Sequence, residues 1–270
     1  MTDTVHLHFA HANGFPAGSY RRLLQELPDN IQVWALDKFG HNPAFPVARD
    51  WLNQARELWH YLDQHTQQPV FLVGHSFGAV VSYLAASERP ERCRGLIMLD
   101  PPLVTGLTRH VFKLFQRTPL IDKVTPAGKA SVRNTQWAPD TDLVEYFAGK
   151  GLFQGMEPAC IADYVSSATT HLGDKQTLTF DHQVEAELFR TVPTNLPRHY
   201  GRYKGPGVVI TGELTEVCKP ALINPFIKGN GFEHRVFAGG GHMFPLQQPD
   251  NVAELLQYYI NRWSQASTAQ

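Results

Sequence analysis

The stretch Val70-Phe71-Leu72-Val73-Gly74-His75-Ser76-Phe77-Gly78 decides the fold. Val70 to Val73 is a short apolar run with β-branched residues at both ends, the composition of a strand buried in a parallel sheet. Ala79 to Ala86 is apolar all round and predicts a buried helix, which Pro90 stops. Between the two, Gly74-His75-Ser76-Phe77-Gly78 fits G-x-S-x-G. Alone the pattern is weak. Set between a buried strand and a buried helix, it predicts a sharp turn that lifts Ser76 out of the sheet. Glycines two before and two after the serine leave room for that tight backbone. A serine hydroxyl is a poor nucleophile until a base removes its proton. The helix beginning there aims its free N–H groups at the nucleophile.

Outward from this centre, strands alternate with helical patterns. Val5 to Phe9 predicts a first strand, running into His11-Ala12-Asn13-Gly14-Phe15-Pro16. Tyr20, Leu23, Leu24 and Leu27 recur at helical spacing, and Ile31 to Leu36 predicts a second strand. Trp51, Ala55, Leu58 and Leu62 mark one face of a further helix. Gly95 to Leu99 predicts the strand after the central helix, stopped at Asp100-Pro101-Pro102. Such alternation with short loops predicts a mostly parallel sheet covered by helices on both faces. From 103 to 205 the alternation stops and apolar residues fall at helical spacing, as in Val111, Phe112, Leu114, Phe115 and in Leu143, Val144, Tyr146, Phe147. That stretch reads as a helical insertion, whose aromatics form its core and partly line a ligand pocket. The sheet resumes at Val208 to Thr211 and ends at His234 to Phe237. Gly239-Gly240-Gly241-His242 and an amphipathic helix through Val252, Leu256 and Trp263 close the chain.

Composition narrows the functional classes. Hydrophobic residues make up 43% of 270 positions, enough for a packed core. A net charge of −1 gives no electrostatic reason to expect nucleic acid or acidic membranes as partners. Cys93, Cys160 and Cys218 are odd in number and far apart, so neither a disulfide framework nor a zinc site is expected, and a reducing cytoplasmic setting is. The first residues carry no signal-peptide pattern and no run is long enough to span a bilayer. His6 and His8 share a strand face, but nothing else at ligand spacing supports a metal. No dinucleotide or Walker-type glycine loop is present, so no cofactor is expected.

The order of motifs resembles the α/β-hydrolase superfamily. The resemblance rests on His11 to Pro16, on Gly74 to Gly78 and on Gly240-Gly241-His242, and covers nearly the whole chain. It implies a core from 1–102 and 206–270 with a helical lid at 103–205, and a first strand matching the family's third, so that the leading hairpin is absent. It also implies His242 as general base. A neutral imidazole takes the serine proton and returns it to the leaving group, contributing about 10²–10⁴-fold. The oxyanion hole by this likeness uses the backbone N–H groups of Phe77 and Phe15, with Ala12 or Asn13 as slipped alternatives to Phe15. The family's usual acid position corresponds to Thr215, with Glu213 and Glu216 out of step. Other members place the acid after the strand that follows the nucleophile helix. Asp100 sits there and is the first candidate, with Glu216 second. The activity implied is hydrolysis of a small carboxylic ester through an acyl-enzyme on Ser76. A carbon–carbon bond hydrolase, an acyl transferase, or a non-catalytic ligand-binding scaffold are the alternatives. A serine at the nucleophile position disfavours the branches of the superfamily that use aspartate there.

Overall fold

The computed structural model describes residues 4–268. In chain order its strands are β1 (Val5–Ala10), β2 (Ile31–Trp34), β3 (Val70–His75), β4 (Cys93–Leu99), β5 (Gln136–Trp137), β6 (Thr169–Leu172), β7 (Lys175–Leu178), β8 (Gly207–Gly212) and β9 (Glu233–Phe237). The α-helices are α1 (Arg21–Gln25), α2 (Leu52–Asp63), α3 (Phe77–Glu88), α4 (Thr108–Phe115), α5 (Ile121–Val124), α6 (Ala127–Ser131), α7 (Leu143–Ala148), α8 (Pro158–Ala168), α9 (His182–Arg190), α10 (Pro220–Asn230), α11 (Phe244–Gln247) and α12 (Pro249–Thr268).

Six strands form one sheet in the order β2-β1-β3-β4-β8-β9. Every pairing in it is parallel. The chain steps from β1 to β2 on one side, then returns past β1 to lay β3 on the other. The loops that follow β1 and β3 therefore leave the sheet side by side with their crossovers diverging, which opens a crevice at their carboxyl ends. The candidate nucleophile and the loop at 11–16 both lie at this point.

Side chains alternate across the strands into two cores. Phe71, Val73, Ile97 and Leu99 face α1 and α12, whereas Val70, Leu72, Leu96 and Met98 face α2, α3 and α10. Helix α3 is buried along nearly its whole length, as its uniformly apolar sequence predicts.

Residues 103–205 depart from a purely helical insertion. Helices α4 to α9 are there, but so is a small antiparallel sheet ordered β5-β7-β6. The β6–β7 hairpin turns at Gly173, with φ of 61°. Three of the four β6 residues are exposed, so the segment has no buried face to impose an apolar period on its sequence. Helix α10, between the last two strands, also lies in a stretch the sequence reading leaves without a helix. It begins at Pro220 and is capped by Gly231, held left-handed with φ of 69°.

Candidate active site

Ser76 stands between β3 and α3 with φ of 53° and ψ of −120°, outside the ordinary regions for a residue with a side chain. Its amide donates to Leu99 O at 2.8 Å, which ties the turn to the neighbouring strand. The flanking glycines are required by contact. A Cβ on Gly74 would lie 2.3 Å from Gly78 O, and one on Gly78 would lie 2.1 Å from Ala10 O.

The imidazole of His242 lies between two oxygens. Its Nε2 is 3.1 Å from Ser76 Oγ and its Nδ1 is 2.6 Å from Asp100 Oδ2. A carboxylate only accepts, so Nδ1 carries the hydrogen and Nε2 presents its lone pair to the serine hydroxyl. Asp100, at the end of β4, is wholly buried and has φ of 44°. Its Oδ1 accepts the Gly212 N–H at 3.0 Å and its Oδ2 accepts the Thr215 hydroxyl at 2.6 Å. The Cys218 thiol closes the pocket, donating to Pro101 O at 2.8 Å. Burial and the Asp100 charge push that thiol well above its usual range, so it stays protonated.

Glu216, the second candidate acid, is elsewhere. Its side chain is 90% exposed and pairs with Lys219. Glu213 accepts the Gly239 N–H at 2.8 Å and so braces the glycine loop from outside. That loop must pass close to β8, where a Cβ on Gly212 would meet Gly240 O at 2.4 Å. Sequence reasoning missed the part played by Thr215. The signal was its place at the usual acid position, where a hydroxyl can serve a carboxylate arriving from the next strand.

In the loop at 11–16 the Phe15 amide is not the free donor that the resemblance implies. The Phe15 amide donates to Ala12 O at 3.0 Å, and the Ala12 amide donates to the Tyr20 hydroxyl at 3.2 Å. Both are engaged inside the protein. Among the described residues the Asn13 amide has no acceptor, which leaves Asn13, one of the two slipped alternatives, as the available donor. Its side chain donates to Glu185 O at 2.8 Å, fixing the loop to α9. The Glu185 carboxylate leans over Gly14 and is matched by Arg133 at 2.8 Å. The Phe77 amide, at the start of α3, lacks an intrahelical acceptor by its position. Phe15 instead contributes its ring, packed on Phe153 and Tyr164 at 5.4 and 4.9 Å between centroids.

His75 links these loops. Its Nε2 lies 2.9 Å from the His242 carbonyl and its Nδ1 lies 2.7 Å from the Tyr20 hydroxyl. The carbonyl fixes the direction: Nε2–H donates, Nδ1 accepts from Tyr20, and Tyr20 accepts from Ala12. Burial, together with nearby His242, lowers the His75 pKa to about 3, so the ring is neutral. Burial pushes the Tyr20 phenol up, and it remains a donor. One hydrogen-bonded chain thus sets the spacing of the 11–16 loop, the serine turn and the histidine loop.

Residues 9–255 match the family model described as "Alpha/beta hydrolase family". Over 105 residues the chain is 34% identical to monoglyceride lipase of Rattus norvegicus, a match covering 36% of this chain and 35% of that protein. Over 181 residues it is 25% identical to a type I acyl-CoA thioesterase, mpaH', of Penicillium brevicompactum, covering 59% of this chain and 38% of that protein. These matched stretches span little more than a third of either curated relative. Among solved structures, an E-2-(acetamidomethylene)succinate hydrolase superposes with a TM-score of 0.78 at 16% identity, covering 95% of this chain and 91% of that one.

Proposed function

Because the chain belongs to the alpha/beta hydrolase family, we propose that it is a serine hydrolase of carboxylic esters, with Ser76 as nucleophile, His242 as general base and Asp100 as the acid. The observation that carries this reading is the single imidazole set 3.1 Å from a serine oxygen and 2.6 Å from a buried carboxylate. Ser76 Oγ attacks the ester carbonyl as its proton passes to His242 Nε2. Asp100 holds the ring in the tautomer that can accept that proton and stabilises the cation it becomes. The amides of Phe77 and Asn13 face the oxygen that gains charge, each worth about 10²–10³ in rate. The imidazolium then protonates the departing alcohol. Water, deprotonated by the same ring, releases the acid from Ser76 and restores the enzyme. Residues 103–205 act as the cap over this site, with Phe15, Phe153 and Tyr164 forming its apolar wall.

The Penicillium relative favours a second substrate class, thioesters, which the same steps would cleave. An acceptor alcohol in place of water would turn the reaction into acyl transfer. A fluorophosphonate probe is expected to form one adduct, on Ser76, absent in Ser76→Ala. Short p-nitrophenyl esters are expected to give a burst of phenolate that the same substitution abolishes. An unlabelled wild-type Ser76 sinks the reading. Parallel assays on acyl-CoA esters and with added alcohol rank the acyl donors and acceptors.

A further inference from the structure

The near-zero net charge of the chain hides a local asymmetry. Between Val104 and Val132 there are five cations, Arg109, Lys113, Arg117, Lys123 and Lys129, and one acid, Asp122. That acid is engaged by Arg190 at 2.8 Å. The same segment, in its helices and at their ends, carries most of the exposed large aliphatic side chains among the described residues. Leu107, Val111 and Leu114 are 86%, 54% and 61% exposed, and Leu120 and Val124 follow at 46% and 49%.

Helix α4 arranges these groups into three stripes. Leu107, Val111 and Leu114, spaced by four and three, share its outer side. Arg109 and Lys113 on the helix and Arg117 just past its end, each four apart, form the adjoining stripe. The remaining side faces the protein. Phe112 packs on the core beside α3, and the Gln116 amide donates to the carbonyls of Arg190 and Val192 at 3.1 and 2.8 Å. The helix is therefore held in place with its apolar stripe pointing away from the fold.

We propose that this face of the 107–124 segment is a docking surface for an anionic lipid bilayer. An apolar stripe beside a basic one is the pattern by which a helix lies in a bilayer interface, aliphatic side chains sunk below the headgroups and cations against their phosphates. A second copy of the chain fits poorly. A second copy could cover the apolar stripe but would bring no anion to Arg109, Lys113 and Arg117, which headgroup phosphates supply. No helix among the described residues is long and apolar enough to cross a membrane. The proposal goes beyond the hydrolase reading and does not depend on it.

Co-sedimentation of the full chain with phosphatidylcholine vesicles, with and without phosphatidylserine, tests it. Binding is expected only to the phosphatidylserine vesicles and is expected to fade as salt is raised. Combined Leu107→Ser, Val111→Ser and Leu114→Ser should weaken it by about tenfold or more. Combined Arg109→Glu, Lys113→Glu and Arg117→Glu should weaken it by at least about 100-fold. All six side chains lie on the surface of α4 or beside it, and matching melting curves confirm that the variants fold. Absence of binding by the wild type, or binding as tight as the wild type's in either variant, overturns the proposal. So does a dimer that Val111→Asp dissociates, which would assign the face to a second copy.

Discussion

At the residue scale, burial and hydrogen bonding support Asp100 over Glu216 as the proposed acid beside His242. Asp100 is wholly buried and accepts from Gly212, Thr215 and His242, whereas Glu216 stands in solvent beside Lys219. Asp100→Asn is expected to lower kcat by about 10⁴ through loss of the correct tautomer, and Glu216→Gln to change it less than about twofold. The reverse order would return the acid to the loop after β8. Thr215→Val should lower kcat by about tenfold with KM unchanged, since one donor to the carboxylate is lost and the substrate is not touched. Thr215 Oγ1 and His242 Nδ1 share Asp100 Oδ2 as partner, so position 215 also lies close to the imidazole. Thr215→Asp should accordingly recover part of the activity lost in Asp100→Asn. The serine and histidine were legible because glycines mark the close passages around them. The donor in the 11–16 loop was not. Which of three successive amides stays free depends on a turn bond between Phe15 and Ala12 and on a tyrosine from the next helix. Sequence spacing carries neither.

At the element scale, the signal followed burial. Strands β3 and β4 are buried almost throughout, the stretches 70–73 and 95–99 within them read as apolar runs, and α3 reads as a helix with no polar face. The hairpin of β6 and β7 is mostly exposed, so its Thr-rich strands show no apolar alternation and only the Gly173-Asp174 turn marks them. Helix α10 carries Pro225 inside its pattern, a residue that argues against a helix wherever it falls after the first turn. The turn between β3 and α3 is the element with least tolerance. A methyl group at Gly78 would sit 2.1 Å from the backbone oxygen of Ala10, which no side-chain motion can relieve. Gly78→Ala should force β1 and α3 apart, cost about 3 kcal/mol or more in a denaturant titration, and abolish probe labelling of Ser76. Gly151→Ala, where the added methyl meets nothing within 4 Å, is the control and should leave both unchanged.

At the scale of the whole molecule, buried histidines set the response to acid. Burial holds His8 and His75 near pKa 3 and His11 near 4, against 6.5 in the unfolded chain. Each is neutral in the fold and takes up a proton on unfolding below pH 6.5. Their contribution to stability is complete above 6.5 and is lost as pH falls through that value towards their folded pKa values. Glu57 acts with the opposite sign. Burial raises it to about 7 from 4.5, so its contribution is complete below 4.5 and is lost as pH rises to 7. Between pH 4.5 and 6 the three histidines outweigh the one carboxyl by about two protons, and stability should rise by about 2–3 kcal/mol per pH unit. His8 is the cleanest probe, because its ring nitrogens have no hydrogen-bond partner among the described residues and it packs between Phe39 and Tyr61, away from the serine. His8→Phe should remove about one proton from that slope and move the acid-unfolding midpoint to lower pH. Glu57→Gln should do its work at the other end, raising stability at pH 8 by up to about 3 kcal/mol relative to its effect at pH 4. Melting curves of the wild type and the two variants from pH 4 to pH 8 separate the effects. A slope unchanged in His8→Phe would mean that the ring is already charged in the folded protein, and that a buried cation beside two aromatic faces is being held there instead.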